Sequence, residues 1–244
     1  MAEFTRDELI ARLGLDPRRP HFAGLDLSGH DLSGLAFPRT VFRAAVLVEA
    51  NLSAMVLTEA DFFRADLRGA DLRESDLTRA DFGWSQLQEA NLSGTRLDGA
   101  QFMDADLTEA DLLGASLTGA SLSMTNLTGA NLVGASLAEA DLSRTTLRAA
   151  DLTSAILCGA DLRLTDLTGA SLAGANLTGA NLRGANLTGA NLEGANLSGA
   201  NVTATRLHRA RLTGADLRGA DLTGTDLSQA ETGSAIFSDP DPGP

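Results

Sequence analysis

The sequence predicts an all-β solenoid of about ten 20-residue coils, each with four short sides, over residues 21–231. Three observations predict this fold. Apolar residues recur with an unbroken five-residue period, phenylalanines and threonines recur at a spacing of 20, and the apolar residues are mainly Leu and Ala. With one Trp, no Tyr and nine Phe in 244 residues, the core must be assembled from small, uniform parts.

The five-residue period is centred on one apolar residue, which we call the centre of each repeat. Centres fall at every number ending in 2 or 7 from Phe22 to Leu227, which gives 42 in succession: 35 Leu, six Phe and Val202. A small residue stands two positions earlier, and Asp or Asn often stands directly before the centre. This period fits neither a helix of 3.6 residues per turn nor a strand of period two. The chain must therefore bend at every repeat to keep all centres inside.

The length of one coil follows from residues that repeat at longer range. Like residues stack on like residues in a solenoid because each coil lies directly on the previous one. Two sets of residues share a 20-residue spacing, which predicts four repeats per coil and a distance of ~4.8 Å between coils. The first set is Phe22, Phe42, Phe62, Phe82 and Phe102; the second is Thr125, Thr145, Thr165, Thr205 and Thr225, with Ala185 in the gap.

The two ends depart from the repeat. Thr5 to Glu8 match a capping box, so we expect a short helix near residues 6–13 within an N-terminal cap formed by residues 1–20. Thr232 takes the place of a centre, and we expect residues 232–244 to form a partly disordered tail. No evident helix covers this end. The predicted dimer contact is the open last coil with Leu222, Leu227, Ile236 and Phe237.

The repeated unit Ala-(Asp/Asn)-Leu-x-x, clearest in "ANLTGANLRGANLTGANLEGAN", resembles the pentapeptide repeat family over about residues 20–230. The resemblance implies a right-handed quadrilateral β-helix. It also implies a homodimer that joins end to end through the carboxyl end. Some members of this family are thought to mimic DNA at type II topoisomerases and thereby protect them from quinolones or other gyrase poisons.

The residue pattern gives no support for catalysis or metal binding. His21 and His30 lie near the amino end and His208 far along the chain, and no Cys/His cluster has metal-ligand spacing. Cys158 follows a centre and is expected to be an incidental surface thiol. We therefore expect no catalytic residue, no cofactor and no metal. One cysteine, no signal-like start and no apolar spanning run predict a cytoplasmic protein without membrane contact.

Charge is the remaining functional signal, with a net charge of −13 that argues against direct nucleic-acid binding. Residues 57–111 carry a net charge of −8, which approaches the charge density of duplex DNA, about one charge per 1.7 Å. Two hypotheses remain open: a non-catalytic scaffold that presents flat faces to an unidentified protein partner, and a DNA-mimicking binder of DNA gyrase that confers resistance to gyrase poisons. The candidate acidic interaction surface is Asp61, Asp66, Asp71, Asp76, Asp81, Asp106 and Asp111.

Overall fold

A computed structural model describes residues 10–11 and 21–237. Over the second range the backbone pairs each coil with the next in parallel, at a constant offset of 20 residues, from His21 with Val41 to Arg211 with Glu231. The named strands are β1 (Asp216–Leu217) and β2 (Ile236–Phe237), which pair in parallel with the same offset. The predicted β-solenoid with residues 20 apart in neighbouring coils is confirmed.

Each side of a coil is short because only the residues around one centre lie in extended pairing. The amide of Leu107 donates to the carbonyl of Asn126 in the next coil at 2.7 Å. One residue earlier, Asp106 donates to Ser85 in the preceding coil at 3.0 Å. Both directions of the ladder are thus satisfied at every side, as buried backbone groups require.

The bend between sides is a tight turn. The amide of Ala105, for example, donates back to the carbonyl of Phe102 at 2.9 Å. The residue two past each centre, which we call the corner residue, has a φ between +53° and +72° at every described repeat except the one containing Gln229. Such a left-handed backbone at the third position is the geometry of a type II turn. This turn, repeated four times in 20 residues, gives the coil its four sides.

The core lies along the axis of the coil. Centres and the small residues two positions before them are buried from the second full coil onward to Leu217. The phenylalanine series forms one stack, and the rings of Phe62 and Phe82 are parallel with centroids 4.9 Å apart. The spacing equals the distance between coils that strand pairing demands. The stacking inferred from the 20-residue spacing is therefore confirmed at the level of side chains.

The two ends of the chain were predicted in more detail than the structure describes. Of the expected helix over residues 6–13, only Ile10 and Ala11 are described; both have helical backbone, and Ile10 is buried at 3 % exposure. Two residues do not establish a helix, so the capping helix stays a prediction. At the other end the coil geometry continues beyond the expected boundary at residue 231, through Phe237. Residues 238–244 of the expected tail lie outside the described residues.

The threonine series has a structural role that the spacing alone did not reveal. Each buried hydroxyl donates to the carbonyl of a centre in the preceding coil, as Thr165 does to Leu142 at 2.9 Å and Thr205 does to Leu182 at 2.9 Å. Ala185 lies between these two threonines and offers no hydroxyl to Leu162. Among the described residues, the carbonyl of Leu162 therefore accepts a hydrogen bond from the turn amide of Thr165 alone.

We expect Ala185→Thr to raise the free energy of unfolding by about 1 kcal/mol, because it completes the series with one net hydrogen bond to Leu162. Urea unfolding followed by circular dichroism measures the change. Ala185→Val is the matched control, since valine has the same shape without the hydroxyl. A valine variant as stable as the threonine variant would contradict the role of the hydrogen bond.

Candidate functional site

The predicted acidic residues hold turns. Each of the seven aspartates accepts a hydrogen bond from the backbone amide two residues later, at N···O distances from 2.9 to 3.3 Å. Asparagine makes the same bond elsewhere in the rod; Asn131, for example, accepts from the amide of Val133 at 3.2 Å. This local bond is a common property of Asp and Asn in turns. It explains why these two residues alternate directly before the centres.

The structure places the seven aspartates on all four sides of the rod. We number the sides by the centres Phe62, Leu67, Leu72 and Leu77. Pairing between coils assigns the aspartates as follows: Asp61 and Asp81 to the first side, Asp66 and Asp106 to the second, Asp71 and Asp111 to the third, and Asp76 to the fourth. The candidate acidic surface is thus a belt around the rod, and no single flat face collects more than two of its members.

Arginine side chains neutralise part of the negative charge of this belt. Four of the seven carboxylates form ion pairs, with N···O distances of 2.6 to 3.3 Å. These pairs are Arg43 with Asp61, Arg68 with Asp66, Arg73 with Asp71, and Arg96 with Asp76. Hydrogen bonds from Arg68 and Arg73 lower the pKa values of Asp66 and Asp71 below the ordinary value. Ion pairing of this kind reduces the local charge that a partner would meet.

These shifts predict how stability depends on pH. The Arg218 side chain lowers the pKa of Asp216 to about 2, and Arg163 likewise lowers the pKa of Asp161. Because the folded-state pKa values lie below the unfolded value of about 3.9, these groups stabilise the fold above that pH and cease to do so as the pH falls through the folded values.

We expect the melting temperature to fall between about pH 4 and pH 2, as these carboxylates become protonated in the folded state. Thermal unfolding followed by circular dichroism at a series of pH values measures this fall. An Asp161→Asn, Asp216→Asn variant is the control, since Asn keeps the turn bond without titrating. If the variant lost stability with acid as steeply as the parent, these two carboxylates would not contribute.

The candidate dimer contact lies at the carboxyl end of the described coil. Leu222 and Leu227 are half-buried, whereas Ile236 and Phe237 are 49 % and 39 % exposed. Leu222, Leu227 and Phe237 are at centre positions and have no further coil after them among the described residues, so they form an apolar end surface. Ile236 directly precedes a centre and lies on the outer face of the fourth side, next to this end. An open end of this kind can pair with another chain.

One feature of the surface was not predicted from the sequence. A groove with a volume of about 540 Å³ runs along the corner after the first side, and we call it the arginine groove. Its lining residues are Ser143, Arg144, Arg163, Leu164, Arg183, Gly184 and Ala204. The 20-residue spacing of Arg163 and Arg183 was the available signal, because residues at this spacing occupy the same position in adjacent coils.

The described part of the chain contains no group of metal ligands and no helix able to span a membrane, and its single thiol belongs to Cys158. Within residues 10–11 and 21–237, no three His, Cys, Asp or Glu side chains are arranged to hold a metal ion. Cys158 is half-buried on the fourth side. No helix within these same ranges has the length and hydropathy needed to cross a bilayer.

Comparison with known proteins defines the class. The family model for pentapeptide repeats matches residues 26–123, 125–163 and 165–229, in eight copies. The chain belongs to the pentapeptide repeat family, whose members fold as right-handed β-helix solenoids and are generally structural or interaction modules. No curated protein sequence matches significantly.

Solved structures of this family are similar to the chain. HetL, a protein involved in heterocyst differentiation regulation in the cyanobacterium Nostoc, is 33 % identical over 96 % of this chain and 94 % of its own, with a TM-score of 0.36. A trypsin-treated form of QnrB1, a plasmid-mediated fluoroquinolone resistance protein, is 20 % identical over 84 % and 90 %, with a TM-score of 0.50. A protein of the Arabidopsis thaliana thylakoid lumen is 38 % identical over 44 % and 71 %, with a TM-score of 0.34.

Proposed function

We propose that this protein is a non-catalytic interaction module: a rigid, acidic, cytoplasmic rod of about ten coils that presents its flat sides to a protein partner. The observation that carries the proposal is the use of the outward Asp and Asn side chains to hold turns. Side chains that hydrogen-bond to the backbone in this way give the rod regular, flat sides. An enzyme requires several side chains that converge around a reacting group, and these side chains do not converge.

The experiment compares the four sides within one coil. A photo-crosslinking amino acid replaces Ser123, Thr128, Val133 or Ala138, which are the equivalent outward residues of the first to fourth sides. We expect one protein from the native host to crosslink from one side or two adjacent sides, and unlabelled rod to compete with it. Equal crosslinking from all four sides, or no competition, would contradict a specific interaction face.

A second candidate is a DNA-mimicking binder of DNA gyrase that gives resistance to quinolones or other gyrase poisons. The net charge of −8 in residues 57–111 favours it. The likeness to QnrB1 bears on the fold alone. The seven candidate aspartates are spread over all four sides of the rod, with no more than two on any side, so we rank this function below the first.

A gyrase supercoiling assay tests the second candidate. The wild-type chain should inhibit supercoiling, or relieve quinolone poisoning, at low micromolar concentration. The matched variant changes all seven aspartates of the belt to asparagine, which keeps the turn bonds and removes seven negative charges. An effect of equal size with both proteins would exclude charge mimicry, and no effect with the wild type would exclude the function.

We also propose a homodimer through the apolar carboxyl end. Ile236→Ser with Phe237→Ser should convert a dimer to a monomer in multi-angle light scattering, because both side chains are exposed in the single chain. Ile156→Ser is the control, since Ile156 has similar exposure in the middle of the fourth side. A wild-type monomer at high protein concentration would refute the dimer.

A further inference from the structure

We propose that the arginine groove binds an acidic peptide segment of a partner protein, with an apolar side chain between its carboxylates. The inference rests on the proposed function and specifies the partner chemistry at one surface. It concerns the corner after the first side in the carboxyl-terminal half, which is separate from the acidic belt around residues 61–111. The groove is defined by the seven residues that line it.

The groove results from a change of side-chain size along one corner. The corner residues Arg144, Leu164, Gly184 and Ala204 are 20 apart and therefore stack in consecutive coils. The Leu164 side chain extends over Gly184, where an added Cβ would lie 3.0 Å from its Cδ2 atom. The large side chains of Arg144 and Leu164 form one end of the groove, and the small residues Gly184 and Ala204 form its bottom. Three coil steps make the groove ~15 Å long, enough for four or five extended residues.

The groove is lined by three arginines and by no acidic residue. Arg144 and Arg183 make no side-chain hydrogen bond or ion pair with any residue in the described ranges, whereas Arg163 is paired with Asp161 at 2.6 Å. Asp141 is the other carboxylate near Arg163 and acts on it electrostatically. Two uncompensated arginines thus flank the groove, and their backbone positions are two coil steps apart, about 10 Å along the rod.

Leu164 gives the groove its apolar part. The side chain is 58 % exposed, and this contact of apolar surface with water is unfavourable in the isolated rod. An apolar side chain of a partner would cover Leu164 and remove its surface from water, which is favourable in proportion to the area buried.

The chemistry of the groove favours a peptide over a phosphate polymer. Arginine binds carboxylates in a bidentate manner, and the separation of Arg144 from Arg183 suits two carboxylates on different residues. The nearby carboxylates of Asp141 and Asp161, and the net charge of −13, would repel a continuous polyanion. An acidic segment with an apolar residue between its carboxylates matches both the guanidinium groups and Leu164.

Fluorescence anisotropy with a labelled peptide, Glu-Glu-Leu-Ser-Glu-Glu, tests the proposal on the full-length chain. We expect Arg144→Gln with Arg183→Gln to weaken binding at least tenfold. The control is Arg39→Gln with Arg79→Gln, which makes the same charge change at a corner of the fourth side and should leave binding unchanged. A peptide with glutamine at every glutamate should not bind.

Three outcomes would overturn the proposal. The first is no peptide binding by the wild type at low salt, and the second is an equal loss in both arginine pairs, which would indicate a general charge effect. The third is concentration-dependent association of the wild-type rod that Arg144→Gln with Arg183→Gln abolishes, which would assign the groove to a second copy of this chain. The crosslinking experiment stays informative in each case, because a partner on another side would support the interaction module without the groove.

Discussion

Replacing Phe62 with alanine is expected to lower the free energy of unfolding by about 3–5 kcal/mol. Phe62 is fully buried, and its ring lies in the stack 4.8 Å from Phe42 and 4.9 Å from Phe82. Alanine would remove the ring from the middle of this stack and leave a cavity that regular coils above and below cannot close. Loss of two ring contacts adds to the loss of buried area.

Urea unfolding followed by circular dichroism measures this change, with Phe62→Leu as the matched control. Leucine is the centre in most repeats and is buried in the same way on the other three sides. We therefore expect Phe62→Leu to cost less than about 1.5 kcal/mol. A negligible loss for Phe62→Ala would show that the axis is not tightly packed, and the stacked core would be wrong.

Enlarging a small buried residue should also be costly. Ala130 is fully buried, and alanine occupies the equivalent position in the adjacent coils at Ala110 and Ala150. Coils at ~4.8 Å spacing leave no room between these methyl groups for a larger side chain. We expect Ala130→Leu to lower the free energy of unfolding by about 1–3 kcal/mol through overpacking.

The control at this position is Ala130→Ser. Serine at the equivalent position of the fourth side is accommodated, because the hydroxyl of Ser75 donates to the carbonyl of Leu52 at 2.7 Å. A serine at position 130 can reach the carbonyl of Leu107 in the same manner, so we expect little change in stability. Equal melting temperatures for the leucine and serine variants would contradict the tight packing of this column.

The structure separates two kinds of charged residue on this rod. Aspartates directly before the centres accept the hydrogen bond of the turn, and asparagine accepts the same bond, so the turn itself does not require their charge. The side chains of Arg144 and Arg183 make no hydrogen bond or ion pair within the described residues. The unpaired arginines are therefore stronger evidence for a binding role than the aspartates of the turns.

Much of the fold could be predicted from the sequence because the same apolar pattern recurs in every five-residue repeat and has to be buried in the same way each time. A centre every five residues requires a bend after each centre, and the spacing of Phe62 and Phe82 identifies which residues meet in adjacent coils. Partial exposure of Leu222, Leu227 and Phe237 was also predictable, since the repeat is interrupted at Thr232. The capping helix stays a prediction, because it depends on packing at one end rather than on the repeat and only Ile10 and Ala11 of it are described.

The sequence by itself determined the coil, its 20-residue offset and its buried residues, because these follow from periodicity along one chain. Only the tertiary structure decided that the seven aspartates encircle the rod and that four are paired with arginine. It alone also showed the groove between Arg144 and Arg183. These features depend on which side chains of different size and charge meet across neighbouring coils, and a five-residue average does not contain that information.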